Sequence, residues 1–63
     1  MKLKNVKVGV RVETKRDYDC GSKKGTLGTI VEVDLGGHYQ TARVHLDTDE
    51  YVWFPHAYLR KVK

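Results

Sequence analysis

Apolar residues recur at every second position in short runs along this chain, a spacing typical of β-strands rather than helices. In "VKVGVRVE" the pattern places Val8, Val10 and Val12 on one face of a first strand. In "QTARVHL" the residues expected to face inward are Ala42, Val44 and Leu46. The residues expected to face outward are Thr41, Arg43 and His45. The segments "TLGTIVEV", "EYVWF" and "LRKV" supply three further runs. The pattern therefore predicts five short strands, an all-β fold and no helix of useful length.

The second run departs from strict alternation. Ile30 and Val33 cannot both face inward without an irregularity, so a β-bulge or sharp bend is expected near Val31. Gly36 and Gly37 follow this run and allow the positive φ angles that a tight hairpin needs. The segment "PHAY" predicts one turn of 3₁₀ helix before the last strand, because proline presets φ at the start of such a turn.

The length of the chain limits how its sheet can be stabilised. Its 63 residues form one domain, 1–63, of which residues 1–7 are a basic N-terminal arm. A domain of this size buries only about 60% of the surface that its unfolded chain exposes, and its one cysteine, Cys20, permits no internal disulfide. A flat sheet would leave unpaired edges, so we expect the sheet to curl into a small barrel. The residues expected to close its core are Phe54, Leu59 and Val62.

The sequence contains no apolar run long enough to span a membrane. Its first ten residues, "MKLKNVKVGV", lack the continuous apolar stretch of a secretory signal. We therefore expect a soluble protein of the cytoplasm, or of the host cytoplasm if the source is a virus, with no membrane partner.

Two segments resemble the Src-homology-3-like small barrels, a superfold that includes the KOW, Tudor and Mind-bomb-type modules. "GTLGTIVEV", residues 25–33, is similar to a KOW motif, and Gly28 stands where that family packs two backbones closely. "VWFPHAYLRKV" resembles the end of a Src-homology-3 domain, in which an apolar residue and proline precede a 3₁₀ turn. The resemblance implies a five-stranded barrel with that turn before the last strand. It implies no single function, and His38 and Tyr39 replace the paired tryptophans of peptide-binding members.

Catalytic and metal chemistry find little support in the sequence. The histidines His38, His45 and His56 lie on separate segments without zinc-ligand spacing. Cys20 follows two nearby acids in "DYDCG", which disfavours a reactive thiolate. "GSKKGTLG" does not have the spacing of a phosphate-binding P-loop. We therefore predict no enzymatic activity, no metal or other cofactor and no small-molecule substrate.

Basic residues are concentrated at both ends of the chain. Residues 1–12 hold four bases and residues 55–63 hold three, with no acid in either segment, whereas residues 13–54 hold five bases and eight acids. The ends thus contribute +7 and the middle −3, which gives the net charge of +4. The first and last strands of such a barrel pair, so the two basic ends are expected to form one rim that no carboxylate neutralises. This rim predicts binding to DNA or RNA with weak sequence preference.

The predicted phosphate contacts lie on both ends and on the long first loop: Lys2, Lys4, Lys7, Lys23, Lys24, Arg60, Lys61 and Lys63. Lys15 and Arg16 would extend this patch. The aromatic residues predicted to stack on unpaired bases or pack on the sugar backbone are Tyr18, Tyr39, Trp53 and Tyr58. Trp53 alternates with Phe54, which places it on the outer face beside Tyr51 or beneath the long loop.

The alternative is a protein-interaction module that docks a peptide or a transcription, translation or nucleoid complex. Tyr39, Pro55 and Tyr58 would form its aromatic face, beside acidic residues of the loops: Asp17, Asp19, Asp47, Asp49 and Glu50. A Tudor-like cage for a methylated cation is a variant of this alternative. It requires an acid and several converging aromatic rings, for which the candidates are Tyr18, Tyr39, Tyr51 and Trp53.

Overall fold

The computed structural model of the chain describes residues 1–18, 23–37 and 39–62. These residues form five strands and two 3₁₀ turns. The strands are β1 (Arg11–Thr14), β2 (Leu27–Val33), β3 (Ala42–Leu46), β4 (Tyr51–Phe54) and β5 (Leu59–Lys61). The 3₁₀ turns span Leu3–Asn5 and His56–Tyr58. The predicted all-β class and the single 3₁₀ turn before the last strand are confirmed. No helix among the described residues is long and apolar enough to cross a membrane.

The strands form one antiparallel sheet in the order β4-β3-β2-β1-β5. The expected pairing of first and last strands is confirmed, because Val12 of β1 lies opposite Lys61 of β5. The molecule is compact, with a radius of gyration of 10.1 Å. The sheet is nevertheless not closed, since no ladder within the described residues joins β4 to β5. The fold is therefore barrel-like, with β4 and β5 as its two edges.

The first strand is shorter than the alternation predicts. Val8, expected to face inward, is 66% exposed, and β1 begins only at Arg11. The reason is Gly9, whose φ of 94° turns the chain out of the extended conformation. The Gly9 N–H donates to the carbonyl oxygen of Ile30 at 2.7 Å and so ties this turn to β2.

The segment before β1 does not project from the domain as an arm. Val6 is only 4% exposed and belongs to the core, and Met1 packs against that core. The lysines of the segment remain exposed: Lys2, Lys4 and Lys7. Burial of Val6 thus anchors a chain segment whose charged side chains point to solvent.

The core lies on the concave face of the sheet. Its largest fully buried side chains are Phe54, Ile30, Leu46, Leu59, Val12 and Val44. The inward positions predicted for β3 are confirmed, and Phe54 and Leu59 are core residues as expected. Thr41, expected to face outward, is instead only 7% exposed. Its hydroxyl oxygen accepts a hydrogen bond from the His56 N–H at 3.1 Å, which satisfies two polar groups below the surface.

The irregularity predicted in β2 is present. The register between β2 and β3 shifts between Ile30 and Glu32, so Val31 is the extra residue of a bulge. The shift allows Ile30 to be fully buried while Val33 still packs against the core. In the connection that follows, only the second glycine of the pair, Gly37, has a positive φ, at 94°.

The connection from β4 to β5 brings the long first loop against the end of the sheet. Pro55 has a φ of −63° and precedes the 3₁₀ turn, as predicted. The Tyr58 N–H donates to the Pro55 carbonyl oxygen at 3.0 Å, and the Tyr58 carbonyl oxygen accepts from the Lys15 N–H at 2.7 Å. Residues that follow β1 are therefore held beside the turn that precedes β5.

Candidate nucleic-acid interface

Exposed lysines lie on three chain segments: the segment before β1, the first loop that follows β1, and β5. Partial burial and the charge of Lys15 lower the pKa of the Met1 amino group. The first segment ends in a turn in which the Val10 N–H donates to the Lys7 carbonyl oxygen at 3.3 Å, and β1 begins at Arg11. The lysines along these segments are here called the lysine surface: Lys2, Lys4, Lys7, Lys15, Lys23, Lys24 and Lys61.

A basic pocket occupies the end of this surface where β1 meets the first loop. It has a volume of about 270 Å³ and is lined by Glu13, Thr14, Lys15, Lys24, Gly25 and Arg60. Thr14 fixes the backbone that lines this pocket. Its hydroxyl donates to the Lys23 carbonyl oxygen at 2.7 Å and accepts from the Thr26 N–H at 3.0 Å. The pocket therefore holds three cationic side chains and the Glu13 carboxylate around a backbone that hydrogen bonds fix in place.

The arginines are occupied within the fold. Arg11 forms a bidentate pair with Asp47, with both N–O distances at 2.9 Å. This hydrogen-bonded pair raises the pKa of Arg11 and lowers the pKa of the Asp47 carboxyl. Arg43 lies 3.6 Å from Glu32. These pairs remove arginine charge from the surface that a ligand meets.

Arg60 corrects one expectation about the basic rim. It forms an ion pair with Glu13 directly across β1 and β5, so the rim is not free of carboxylates. Directly opposite positions on paired strands bring their side chains together, and this pairing explains the contact. The described lysines, in contrast, form no ion pair with any described carboxylate. The lysine surface thus keeps its charge available.

Aromatic side chains gather beside the β4–β5 connection, and a cation lies next to them. The Tyr18 ring centroid lies 5.4 Å from that of Phe54 and 5.1 Å from that of Tyr58. A hydrogen bond with Tyr58 raises the pKa of the Tyr39 hydroxyl. The guanidinium of Arg16 lies over the Tyr58 ring, 5.6 Å from its centroid. The structure therefore unites three of the four predicted aromatic contacts, Tyr18, Tyr39 and Tyr58.

The fourth predicted aromatic contact, Trp53, lines an open cleft beside β4. The cleft has a volume of about 470 Å³, and its lining residues are Tyr18, Gln40, Tyr51, Val52 and Trp53. Gln40 donates its side-chain N–H to the Tyr18 hydroxyl at 2.8 Å, which fixes one wall. Tyr18 belongs to both groups, so the aromatic cluster and the cleft form one continuous surface.

Tyr51 is held by its neighbours on β3. Its ring stacks on His45, with centroids 4.4 Å apart and planes 7° from parallel. The guanidinium of Arg43 lies 4.9 Å from the centroid of the same ring. Trp53 lies opposite Arg43 in the ladder and shares the outer face with Tyr51, as the alternation predicts.

Two features expected of a protein-interaction module are not found on this surface among the described residues. Pro55 is buried, so it is not offered to a peptide beside Tyr58. Among the described residues, no carboxylate lines the cleft that contains Tyr18, Tyr51 and Trp53, although a cage for a methylated cation requires one. The surrounding charges come from Arg16 and Arg43 and are positive.

The described residues contain no group of three or more His, Cys, Asp or Glu side chains that could hold a metal ion. Four predictions concern residues outside the described part of the chain: the acidic loop position of Asp19, the inert thiol of Cys20, the surface position of His38 and the phosphate contact of Lys63. The sequence reasoning missed Gln40 as a site residue, because a single amide in a polar connection carries no pattern.

Comparison with models of protein families, with curated proteins and with solved structures returns no match for this chain. The geometry of the lysine surface and of the aromatic cleft therefore carries the functional argument.

Proposed function

We propose that this chain is a non-catalytic module that binds nucleic acid through phosphate contacts from the lysine surface, with weak sequence preference. The observation that carries the proposal is a difference in ion pairing between the arginines and the lysines of the chain. Three of the four arginines, Arg11, Arg43 and Arg60, form ion pairs within the fold. The exposed lysines of the segment before β1, of the first loop and of β5 have no described carboxylate partner. Neutralising phosphates releases condensed counterions, which is the main source of sequence-independent affinity.

The chemistry of lysine favours this kind of contact. A lysine ammonium is a strongly hydrated point charge on a flexible stem, whereas the arginine guanidinium makes directed bidentate contacts. A surface of lysines thus attracts a polyphosphate backbone without reading base edges. The pocket brings Lys15 and Lys24 together and offers the most defined site for one phosphate group, which these two lysines would hold because Arg60 is paired with Glu13.

The Src-homology-3-like resemblance is part of this proposal. Its KOW-like segment contains Gly28, and the close approach that this motif implies is supported by the surroundings of Gly28. A Cβ atom there would lie 2.8 Å from the His45 carbonyl oxygen of the neighbouring strand. Barrels of this superfold serve many functions, so the likeness supports the architecture and the charges support the ligand.

Titration against duplex DNA, single-stranded DNA and RNA at several salt concentrations tests the proposal. If about four phosphates are engaged on duplex DNA, the slope of log K against log salt is about −3.6, which is −0.9 for each phosphate. A slope near zero, or binding that persists unchanged in molar salt, would contradict phosphate contact.

A pair of variants with equal net charge separates a local contact from a general charge effect. Lys61→Gln and Thr48→Glu each lower the net charge of +4 by one, but Thr48 lies in the β3–β4 connection, outside the lysine surface. Only Lys61→Gln is expected to weaken binding and to reduce the salt slope by about one phosphate contact. Equal effects of both variants would refute a localised interface.

Protein docking is the second candidate function. It is supported by two exposed aromatic side chains, since Tyr39 is 68% and Tyr51 is 54% exposed. Large exposed aromatic residues are enriched where proteins meet. The same titrations decide between the candidates, because a docking module that recognises only protein would associate with no polyanion.

A further inference from the structure

We propose that the cleft beside β4 receives one unpaired nucleobase that stacks on Trp53, so that the chain prefers single-stranded nucleic acid to duplex. The inference rests on the proposed function, because it assumes that phosphates are bound by the lysine surface. It adds a base-binding site to that surface. Bases in a duplex are already stacked and paired, so only an unpaired base can enter.

Trp53 is the ring of the cleft that remains available for stacking. Tyr18 is packed against Phe54 and Tyr58, and the ring of Tyr51 already contacts His45 and Arg43. Trp53 has no ring or cation partner among the described residues. Because Trp53 is partly exposed and lines the cleft, its ring can contact a ligand that enters there. Stacking on such a face tolerates every base, because each base has a π-face of its own.

The polar lining of the cleft matches the edge of a base. Gln40 uses one side-chain N–H on the Tyr18 hydroxyl. This leaves the Gln40 carbonyl oxygen and second N–H, and the Tyr18 O–H hydrogen, without a partner among the described residues. These groups comprise an acceptor and two donors beside the stacking ring. A volume of about 470 Å³ accommodates one base with the water that surrounds it.

The charges around the cleft favour a nucleotide over a cationic ligand. Arg43 lies over the Tyr51 ring at one wall, and Arg16 lies over the Tyr58 ring beside Tyr18. None of the residues that line the cleft in the described part of the chain is a carboxylate. Arg43 is paired with Glu32, whereas Arg16 forms no ion pair with a described carboxylate. The charge of Arg16 can therefore stabilise a phosphate next to a stacked base and repel a methylated ammonium group.

The fluorescence of Trp53 gives a direct test, because Trp53 is the only tryptophan in the chain. We would titrate the full chain with a single-stranded oligodeoxynucleotide of about ten residues and with its duplex, while indole emission and binding anisotropy are recorded together. The inference predicts quenching by the single strand and a much weaker response to the duplex. Binding of both forms without quenching would overturn it and leave phosphate binding in place.

An abasic strand separates the inference from the function on which it rests. Such a strand keeps its phosphates and lacks its bases. Loss of one stacked base is expected to weaken binding by roughly 5- to 150-fold, without any change in the protein. Equal affinity for the abasic and the normal strand would refute the base site alone. No association with any of these ligands would refute the proposed function and the inference together.

Variants of the cleft provide a second measurement. Gln40→Ala removes polar groups of the cleft, and it is expected to weaken single-strand binding severalfold while the affinity for duplex is unchanged. Leu35→Ala is the control, since Leu35 is 57% exposed and does not line the cleft. If both variants bind the single strand as tightly as the wild type, the cleft does not hold the base edge as proposed.

Discussion

Gly28 is the position at which one added methyl group should destabilise this fold most clearly. A Cβ at residue 28 would lie 2.5 Å from Val44 Cγ1, 2.8 Å from the His45 carbonyl oxygen and 3.1 Å from Leu46 Cα. Favourable contact between carbon atoms begins at about 3.5 Å. Two of the three neighbours are backbone atoms of β3, which pairs with β2 at this point. They cannot rotate away as a side chain does.

The size of the effect follows from these distances. Overpacking in a well-packed core costs about 1–3 kcal/mol, and the backbone contacts place Gly28→Ala at the upper end, about 3 kcal/mol. Alanine also restricts the unfolded chain, which stabilises the folded state by about 0.4–1 kcal/mol. The net loss in the free energy of unfolding is therefore about 2 kcal/mol. For a domain of this size, that loss lowers the melting temperature by roughly 8–16 °C.

Urea unfolding followed by Trp53 fluorescence measures this loss, with Gly36→Ala as the matched control. The nearest atom to a Cβ at Gly36 is the side-chain Oδ1 of Asp34, at 3.1 Å, so the control should change the free energy of unfolding by no more than about 0.5 kcal/mol. If Gly28→Ala is as stable as Gly36→Ala, the close approach of β2 and β3 at Gly28 is wrong.

Two further substitutions test interactions that hold the interface in place. Thr14→Val should lower the free energy of unfolding by about 1 kcal/mol, because it removes the hydroxyl that donates to the Lys23 carbonyl oxygen and accepts from the Thr26 N–H, while that N–H keeps the Lys23 carbonyl oxygen as an acceptor. Thr14→Ser, which keeps the hydroxyl, should recover most of the loss in thermal unfolding. Asp47→Asn tests the pair with Arg11, whose hydrogen bonds lower the carboxyl pKa below its ordinary value of 3.8. A carboxyl whose pKa is depressed in the folded state stabilises the fold above the ordinary pKa, and this contribution is lost as the pH falls through the folded pKa. The stability advantage of the wild type over Asp47→Asn should therefore be present at neutral pH and shrink below pH 3.8; an advantage that is constant over this range in acid-titrated urea unfolding would show that the pair is not formed.

Local sequence pattern was sufficient for most of the strand framework. The alternation of Ala42, Val44 and Leu46 fixes which face of β3 is inward, and that prediction is confirmed. The break in alternation between Ile30 and Val33 predicted the bulge. Both features depend on the period-two geometry of a strand, which short-range sequence records directly.

Features that depend on contacts between distant residues were predicted less well. Val8 fits the alternation, but the positive φ of Gly9 interrupts the extended conformation, so Val8 lies outside β1. Thr41 is buried because of a hydrogen bond to a backbone group fifteen residues away. The pair of Arg60 with Glu13 spans 47 residues of sequence. None of these contacts has a local signature, so only the folded chain reveals them.

The candidate site shows the same division. The paired basic ends could be expected from topology, since Val12 and Lys61 are neighbours across β1 and β5. The hydrogen bond from Gln40 to Tyr18 in the cleft could not be expected from the sequence, because it depends on how the first loop folds back over the sheet. Charge composition thus indicated a ligand class, whereas the shape of the aromatic site required the structure.

The salt dependence of binding to single-stranded DNA tests the central claim most directly. We predict that the affinity of the full chain falls steeply as salt rises, with a log–log slope of about −0.7 for each phosphate engaged, and that replacing Lys61 by glutamine makes the slope less steep. A chain that binds no nucleic acid at low salt, or binds it with an affinity that salt does not change, would contradict a lysine surface built for phosphates.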